Sequence, residues 1–410
     1  MLVLALFSLA VTYYYYFYKK TKDILNPVGM ILVIWCVTAA ISALYLLPLQ
    51  EPWGFRMVVV VIGKTFAVFW AGRRVLPEFK DNYVLEEIYI PNIFFIITRA
   101  IFFISLVCVL IEWRFNDFML PGLATISGVE GVGDIKSLME GLPVIHYGSI
   151  LMPFCGIFAF FELKYTKGRK LFSILVLLTA LVFYSYLIQI SRGSLLTIFL
   201  GCLYIQHKKK PISFKLLAPL ISIVLTAFVG IARFRVVEGS MVFQSIEGES
   251  PFAVLVSPIV TYIGYNFENL RKLVEYDSHS YTFFHLTFMP IYHILGMRGG
   301  LNLTLFDTKF FVARTYIYPF YHDLGLLGVI IFPFLISAFV SLIYRKSRRN
   351  KPEYIILLAA LQRAIVYVFF GNYFFGEFIL IWPYLVAVVV MKSLKYKLTK
   401  QGSIKLLTST

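Results

Sequence analysis

Residues 171–206 read LFSILVLLTALVFYSYLIQISRGSLLTIFLGCLYIQ, and the fold turns on how this stretch is read. As a single helix it would run about 54 Å at 1.5 Å per residue. The hydrocarbon core of a bilayer is only roughly 30 Å thick. The chain must therefore reverse within the stretch, and its polar break is Ser191-Arg192-Gly193-Ser194. Each arm is then short for a span, so the turn is expected to lie shallow in one leaflet, with Arg192 at headgroup depth.

The rest of the chain is built from similar apolar runs. Of its 410 residues 59% are hydrophobic and 18% aromatic, and the mean hydropathy is +0.79. The expected fold class is all-α, a polytopic transmembrane helix bundle of about eleven spans. The spans are expected near 2–18, 27–48, 55–72, 88–111, 146–163, 171–190, 194–206, 216–232, 324–344, 354–372 and 376–391. The formal charge of +16 does not indicate nucleic acid, because the basic residues cluster in alternate short loops. Those clusters are Lys19, Lys20 and Lys22; Arg73, Arg74 and Lys80; Lys164, Lys167, Arg169 and Lys170; Lys208, Lys209, Lys210 and Lys215; Arg345, Lys346, Arg348, Arg349 and Lys351; and Lys392 onward. The bias toward basic residues on the inside places the N-terminus outside and the C-terminus in the cytoplasm. The first apolar run precedes its basic residues, the reverse of a cleavable signal peptide.

The whole chain, 1–410, reads as a single integral membrane domain with two long outside segments, about 112–145 and about 233–323. In the second, Pro251–Tyr265 and Tyr281–Leu295 are apolar and aromatic. They read as interfacial or re-entrant helices, the alternative being two further spans. Glu268, Glu275 and Asp277, which flank Arg271 and Lys272, favour the outside placement.

Cys36, Cys108, Cys155 and Cys202 all fall inside apolar runs, so they read as small hydrophobes with no disulfide framework. No P-loop, HExxH, Cys/His ligand spacing or GxSxG elbow is present. Neither a metal nor a cofactor is expected.

A second set of cations breaks the inside rule. Arg192, Arg233, Arg235 and Arg314 lie at or near the outer ends of apolar runs. A cation at a membrane boundary costs free energy unless an anion meets it. An isolated arginine there is also explained as an interfacial anchor whose head reaches lipid phosphate. Small polar neighbours around Arg192 leave backbone N–H groups approachable by an anion. In extended chain Arg233-Phe234-Arg235 puts two guanidinium forks on one side, a spacing suited to a diphosphate. Further along, Arg314-Thr315-Tyr316-Ile317-Tyr318-Pro319-Phe320-Tyr321-His322-Asp323-Leu324-Gly325-Leu326-Leu327-Gly328 runs from outside loop into a late span. His322 titrates near neutral pH, and Asp323 also reads as a helix N-cap. Tyr316 and Tyr321 read as interfacial-belt residues or as rings that stack on sugars. Arg99 and Arg363, inside spans, are expected to meet carboxylates or helix ends.

The topology, Ser191-Arg192-Gly193, and Arg314-Thr315-Tyr316 followed by Tyr321-His322-Asp323-Leu324-Gly325-Leu326-Leu327-Gly328 together resemble the Wzy-type oligosaccharide repeat-unit polymerases of O-antigen and capsule assembly. Leu324 stands where that family often has Phe. The related O-antigen ligases commonly carry a His about ten residues before the Gly-Leu-Leu-Gly, where this chain has Thr315 and Tyr316, which favours the polymerase. The resemblance implies a metal-independent glycosyltransferase of GT-C-like membrane fold in the bacterial cytoplasmic membrane. It would join undecaprenyl-diphosphate-linked oligosaccharides at the outer face, with a chain-length regulator protein as a partner. Arg192, Arg233, Arg235 and Arg314 would hold the diphosphates, a developing charge that needs fixed cations at low dielectric. His322 or Asp323 would take the acceptor's proton. An O-antigen ligase, or a flippase or other transporter of lipid-linked oligosaccharide, is the alternative. A transporter normally has two related halves, and the sequence has no internal repeat.

Overall fold

The computed structural model describes residues 1–47, 49–79, 90–126, 143–166, 170–189, 191–216, 219, 222, 251–275, 282, 284–288, 314–348, 351, 353–374 and 383–393. Every regular element among them is helical. They are α1 (Leu2–Thr21), α2 (Pro27–Ser42), α3 (Phe55–Val75), α4 (Asn92–Phe115), α5 (Pro121–Ile126), α6 (Pro143–Ser149), α7 (Met152–Tyr165) and α8 (Lys170–Leu178), which runs on as a π-helical segment (Thr179–Ile188). Then come α9 (Arg192–Lys209), α10 (Pro251–Glu275), α11 (Tyr318–Ser347), α12 (Glu353–Val366) and α13 (Pro383–Ser393). Five helical stretches among the described residues are long and apolar enough to cross a membrane: α3, α4, 145–165, α8 with its π extension, and α11. Residues 223–232, most of 276–313, Arg233 and Arg235 lie outside the described residues, and with them most of the expected span 216–232 and much of the second long loop.

Two compact units divide the chain. The first comprises Met1–Asn82, Gly239–Arg345 and Arg363–Ile381. In it α1 packs along α2, and α2 against α3 and α10. The turn between α1 and α2 is set by its own side chains. Asn26 caps α2 by accepting from the Gly29 N–H at 3.0 Å, with Pro27 at the first helical position. Buried Asp23 accepts from the Leu25 N–H at 2.9 Å and from the Tyr344 hydroxyl at 2.7 Å.

The run expected to span 27–48 is helical only to Ser42. Tyr45 has a left-handed φ of 52°, a conformation that ends a helix. Gln50 fixes the turn, accepting from the Leu47 N–H and donating to the Ser42 carbonyl. The apolar stretch 251–265 opens a continuous helix, α10, that reaches Glu275 and packs against α2 and α3. Its later residues Tyr265, Phe267, Leu270 and Leu273 are buried.

The second unit comprises Tyr83–Glu238, Lys346–Gln362 and Trp382–Thr410. Its core joins Phe102 and Val109 of α4, Met152, Cys155 and Ala159 of α7, Val176 of α8, Ala180, Tyr184 and Ile188 of the π segment, and Ile198 of α9. A buried carboxylate ties three of these helices together. Glu162 accepts from the hydroxyls of Thr98 at 2.8 Å and Ser173 at 2.7 Å, which satisfies a group that would otherwise be costly to bury. The helix break in 171–206 lies between Gln189, which closes the π segment, and Ser191, the first residue of the expected polar break Ser191–Ser194. Ser191 caps α9 by accepting from the Ser194 N–H at 3.2 Å.

Candidate functional site

In the first unit, the segment from Arg314 to Gly328 is built around two glycines. Helix α11 begins at Tyr318, five residues before Asp323, and is kinked at Gly325, where φ is 61° and ψ is −142°. A side chain is strained there. At Gly328 a Cβ would lie 2.0 Å from the Phe320 carbonyl oxygen, so only glycine lets the backbone approach. The Gly-Leu-Leu-Gly pattern is thus the elbow between the first turns of α11 and its long rod.

The polar groups ahead of the elbow form one line of contacts. The Arg314 guanidinium lies 5.1 Å from the Tyr318 ring centre. Tyr318 and His322, one helical turn apart, stack at 6.3 Å with 29° between their planes. Buried His322 contacts the Thr282 hydroxyl through Nδ1 at 3.1 Å. The same hydroxyl donates to Oδ1 of Asp323. That donation uses the hydroxyl's one proton, so the Thr282 oxygen must accept from the ring. In the neutral imidazole the proton then sits on Nδ1 and the lone pair on Nε2.

Asp323 itself is fully buried, and its oxygens also accept from the Leu286 N–H at 3.0 Å and the Thr287 N–H at 2.6 Å. The expectation that it caps its own helix is corrected: Asp323 lies inside α11 and caps the turn at 284–288. Fixed by three donors, it anchors the segment that carries Thr282.

Tyr316 is 1% exposed, and its ring is hemmed by Trp35, Phe320 and Phe374. Burial raises its phenol well above the ordinary value, which keeps it neutral. The Tyr321 hydroxyl donates to the Val274 carbonyl at 3.5 Å, and the residue is 9% exposed.

Arg192 lies in the second unit as the first residue of α9. The π segment ends four residues ahead of it, and π geometry is frequently found at functional sites. Of the four arginines, Arg192 and Arg314 fall in different units, and Arg233 and Arg235 lie outside the described residues.

Three arrangements go beyond what the sequence shows, although Glu268 and Glu275 already flank Arg271 there. In the second unit, His146 Nδ1 and the Glu112 carboxylate are 2.7 Å apart. Buried Arg271 is bound in the first unit by Glu268 in a fork at 2.6–3.1 Å, by Glu275 at 2.9 Å and by Glu51 at 2.9 Å. The third is Lys64, midway along α3 and 0% exposed. Its ammonium lies 4.3 Å from the Trp35 ring centre and 5.4 Å from that of Tyr316. Its Nζ has no hydrogen-bond partner. A lysine in the middle of an apolar run is the signal that would have found it. Among the described residues Arg99 lies 4.8 Å from the Phe172 ring centre and Arg363 4.5 Å from that of Tyr373.

No family model, curated protein or solved structure matches the chain.

Proposed function

We propose that the chain is a metal-independent glycosyltransferase of the cytoplasmic membrane, of GT-C-like fold and about eleven spans. It polymerises oligosaccharide repeat units carried on undecaprenyl diphosphate at the outer face. The observation that carries this reading is the Arg314–Tyr318–His322–Thr282–Asp323 line. It links an imidazole to a guanidinium through the Tyr318 ring at the start of an apolar helix, in the segment whose sequence resembles the Wzy-type polymerases. Asp323 acts through Thr282 to hold His322, which takes the proton of an acceptor hydroxyl. Arg314 in the first unit, and Arg192, Arg233 and Arg235 in the second, each supply positive charge for substrate diphosphates, whose charge grows as the sugar–phosphate bond breaks. Tyr321 frames the glycan side, whereas Tyr316, enclosed by Trp35, Phe320 and Phe374, does not stack on sugar; the donor, already activated, needs no cytoplasmic energy source. A chain-length regulator is the expected protein partner.

Reconstitution of the purified protein with a defined lipid-linked repeat unit tests the reading. Polymer together with free lipid diphosphate is the expected product. Transfer to a lipid A core acceptor would make it a ligase, and translocation without new glycosidic bonds a transporter.

A further inference from the structure

We propose that Lys64, Trp35 and Thr315 form a buried receptor for a phosphate-type oxyanion, a site independent of the polymerase reading. All three residues are closed off from solvent at 0% exposure. Each ends in a group able to donate a hydrogen bond: the Lys64 ammonium, the Trp35 indole N–H and the Thr315 hydroxyl. Lys64 Nζ, Trp35 Nε1 and Thr315 Oγ1 are all buried without a hydrogen-bond partner.

The rings bring Lys64 and Trp35 together with Tyr316, the chain neighbour of Thr315. Lys64 Nζ lies 4.3 Å from the Trp35 ring centre, and the Trp35 and Tyr316 rings meet edge-to-face at 5.9 Å. Thr315 precedes Tyr316 in the chain and is held there by the Tyr316 N–H bond to the Val368 carbonyl at 3.2 Å.

Two of the donors, ammonium and indole, cannot accept at all. No rearrangement among these two satisfies them, and a buried donor without an acceptor is a standing cost. What completes the cluster is a group that only accepts, carries negative charge and presents several oxygens. A terminal phosphate offers three oxygens to the three donors, whereas a carboxylate offers two. The Trp35, Tyr316 and Phe267 rings keep the surroundings at low dielectric, where one ion pair is much stronger than in water. The phosphate can be a free anion or the head of a lipid.

The test uses the full-length protein in detergent micelles. Tryptophan emission, to which Trp35 contributes, is followed during titration with inorganic pyrophosphate and, separately, with polyprenyl phosphate in mixed micelles. A saturable change is expected, weakened about tenfold or more in Lys64→Met and about fivefold in Thr315→Val. Either probe should also raise the unfolding temperature of the wild type but not of Lys64→Met. A response to pyrophosphate assigns a free-anion site, and a response to polyprenyl phosphate alone assigns a lipid-borne one. No response to either probe in the wild type overturns the proposal. So does unchanged affinity in Thr315→Val together with unchanged affinity in Lys64→Met. If Lys64→Met does not fold, unchanged affinity in Thr315→Val suffices to overturn it.

Discussion

Arg271 and Lys64 are both basic side chains enclosed in the same compact unit, and only Arg271 is met there by carboxylates. Arg271 is surrounded by carboxylates from two segments: Glu268 and Glu275 on its own helix, and Glu51 from the loop before α3. Lys64 has two aromatic faces and no hydrogen-bond partner. A lysine at the centre of a membrane helix costs about 2.5–3.5 kcal/mol on insertion scales. Cation–π contact returns about 0.5–2 kcal/mol, so the rings alone do not offset the burial. Arg271 is therefore part of what holds α10 to the loop before α3, whereas Lys64 is a standing cost that an anionic ligand would remove. The comparison teaches that a buried charge stabilises the fold only where the fold also supplies its counter-charge.

The largest expected effect breaks the closed member of the pair. Arg271→Met should destabilise the protein by about 3–5 kcal/mol, because Glu268, with its side chain 1% exposed, keeps a buried charge without a partner. Thermal unfolding in detergent measures this, and an unfolding temperature within a degree or two of wild type would show that the clamp contributes nothing. Next comes an arginine on the functional side of the contrast. Arg192→Ala should lower polymer formation by about 10²–10³ with little change in stability, and Arg192→Lys should rescue it only in part because an ammonium lacks the fork. Normal-length glycan ladders from cells carrying Arg192→Ala would remove Arg192 from the proposed mechanism.

Thr282→Val keeps the shape of the side chain but cuts the link from Asp323 to His322. Transfer should fall by about 10-fold, the worth of one net hydrogen bond, and the pH profile of the reaction should shift as the imidazole loses its fixed tautomer. A rate loss with an unaltered pH profile would make Thr282 a packing residue.

Lys64→Met, without ligand, should raise stability by about 0.5–3 kcal/mol, the difference between the insertion cost and the cation–π return. A drop of similar size would mean that Lys64 has its counter-charge within the fold. The smallest effect is expected at the rim of the clamp. Glu51 has a side chain 61% exposed, and Glu51→Gln should change stability by less than about 1 kcal/mol.

Much of the helical framework is legible in the sequence, for identifiable reasons. Bilayer thickness forces a break in 171–206, and it falls at Gln189–Ser191. The four cysteines in apolar runs are free, with Cys36 and Cys155 buried. Helix ends are less legible where side chains from the loop decide them. Gln50 and the left-handed Tyr45 stop α2 at Ser42, although the apolar run continues.

Pairings across long separations are illegible. Glu51 and Arg271 are 220 positions apart, and nothing near either residue signals the other. Asp323 looks like the cap of its own helix because the sequence shows its neighbours in the chain and not the turn at 284–288 that it binds. Lys64 was legible by position, as a charge midway along an apolar run. Only coordinates show that its neighbours are Trp35 and Tyr316.

The elbow in α11 bears on how relatives of this chain can be found. Arginines that hold a ligand can migrate from one helix end to another and still reach it. The Phe320 carbonyl, 2.0 Å from where a Cβ would stand at position 328, and the positive φ at position 325 leave no such latitude. A search of distant sequences should therefore anchor on this glycine pair ahead of a long apolar helix, and let the charged positions vary around it.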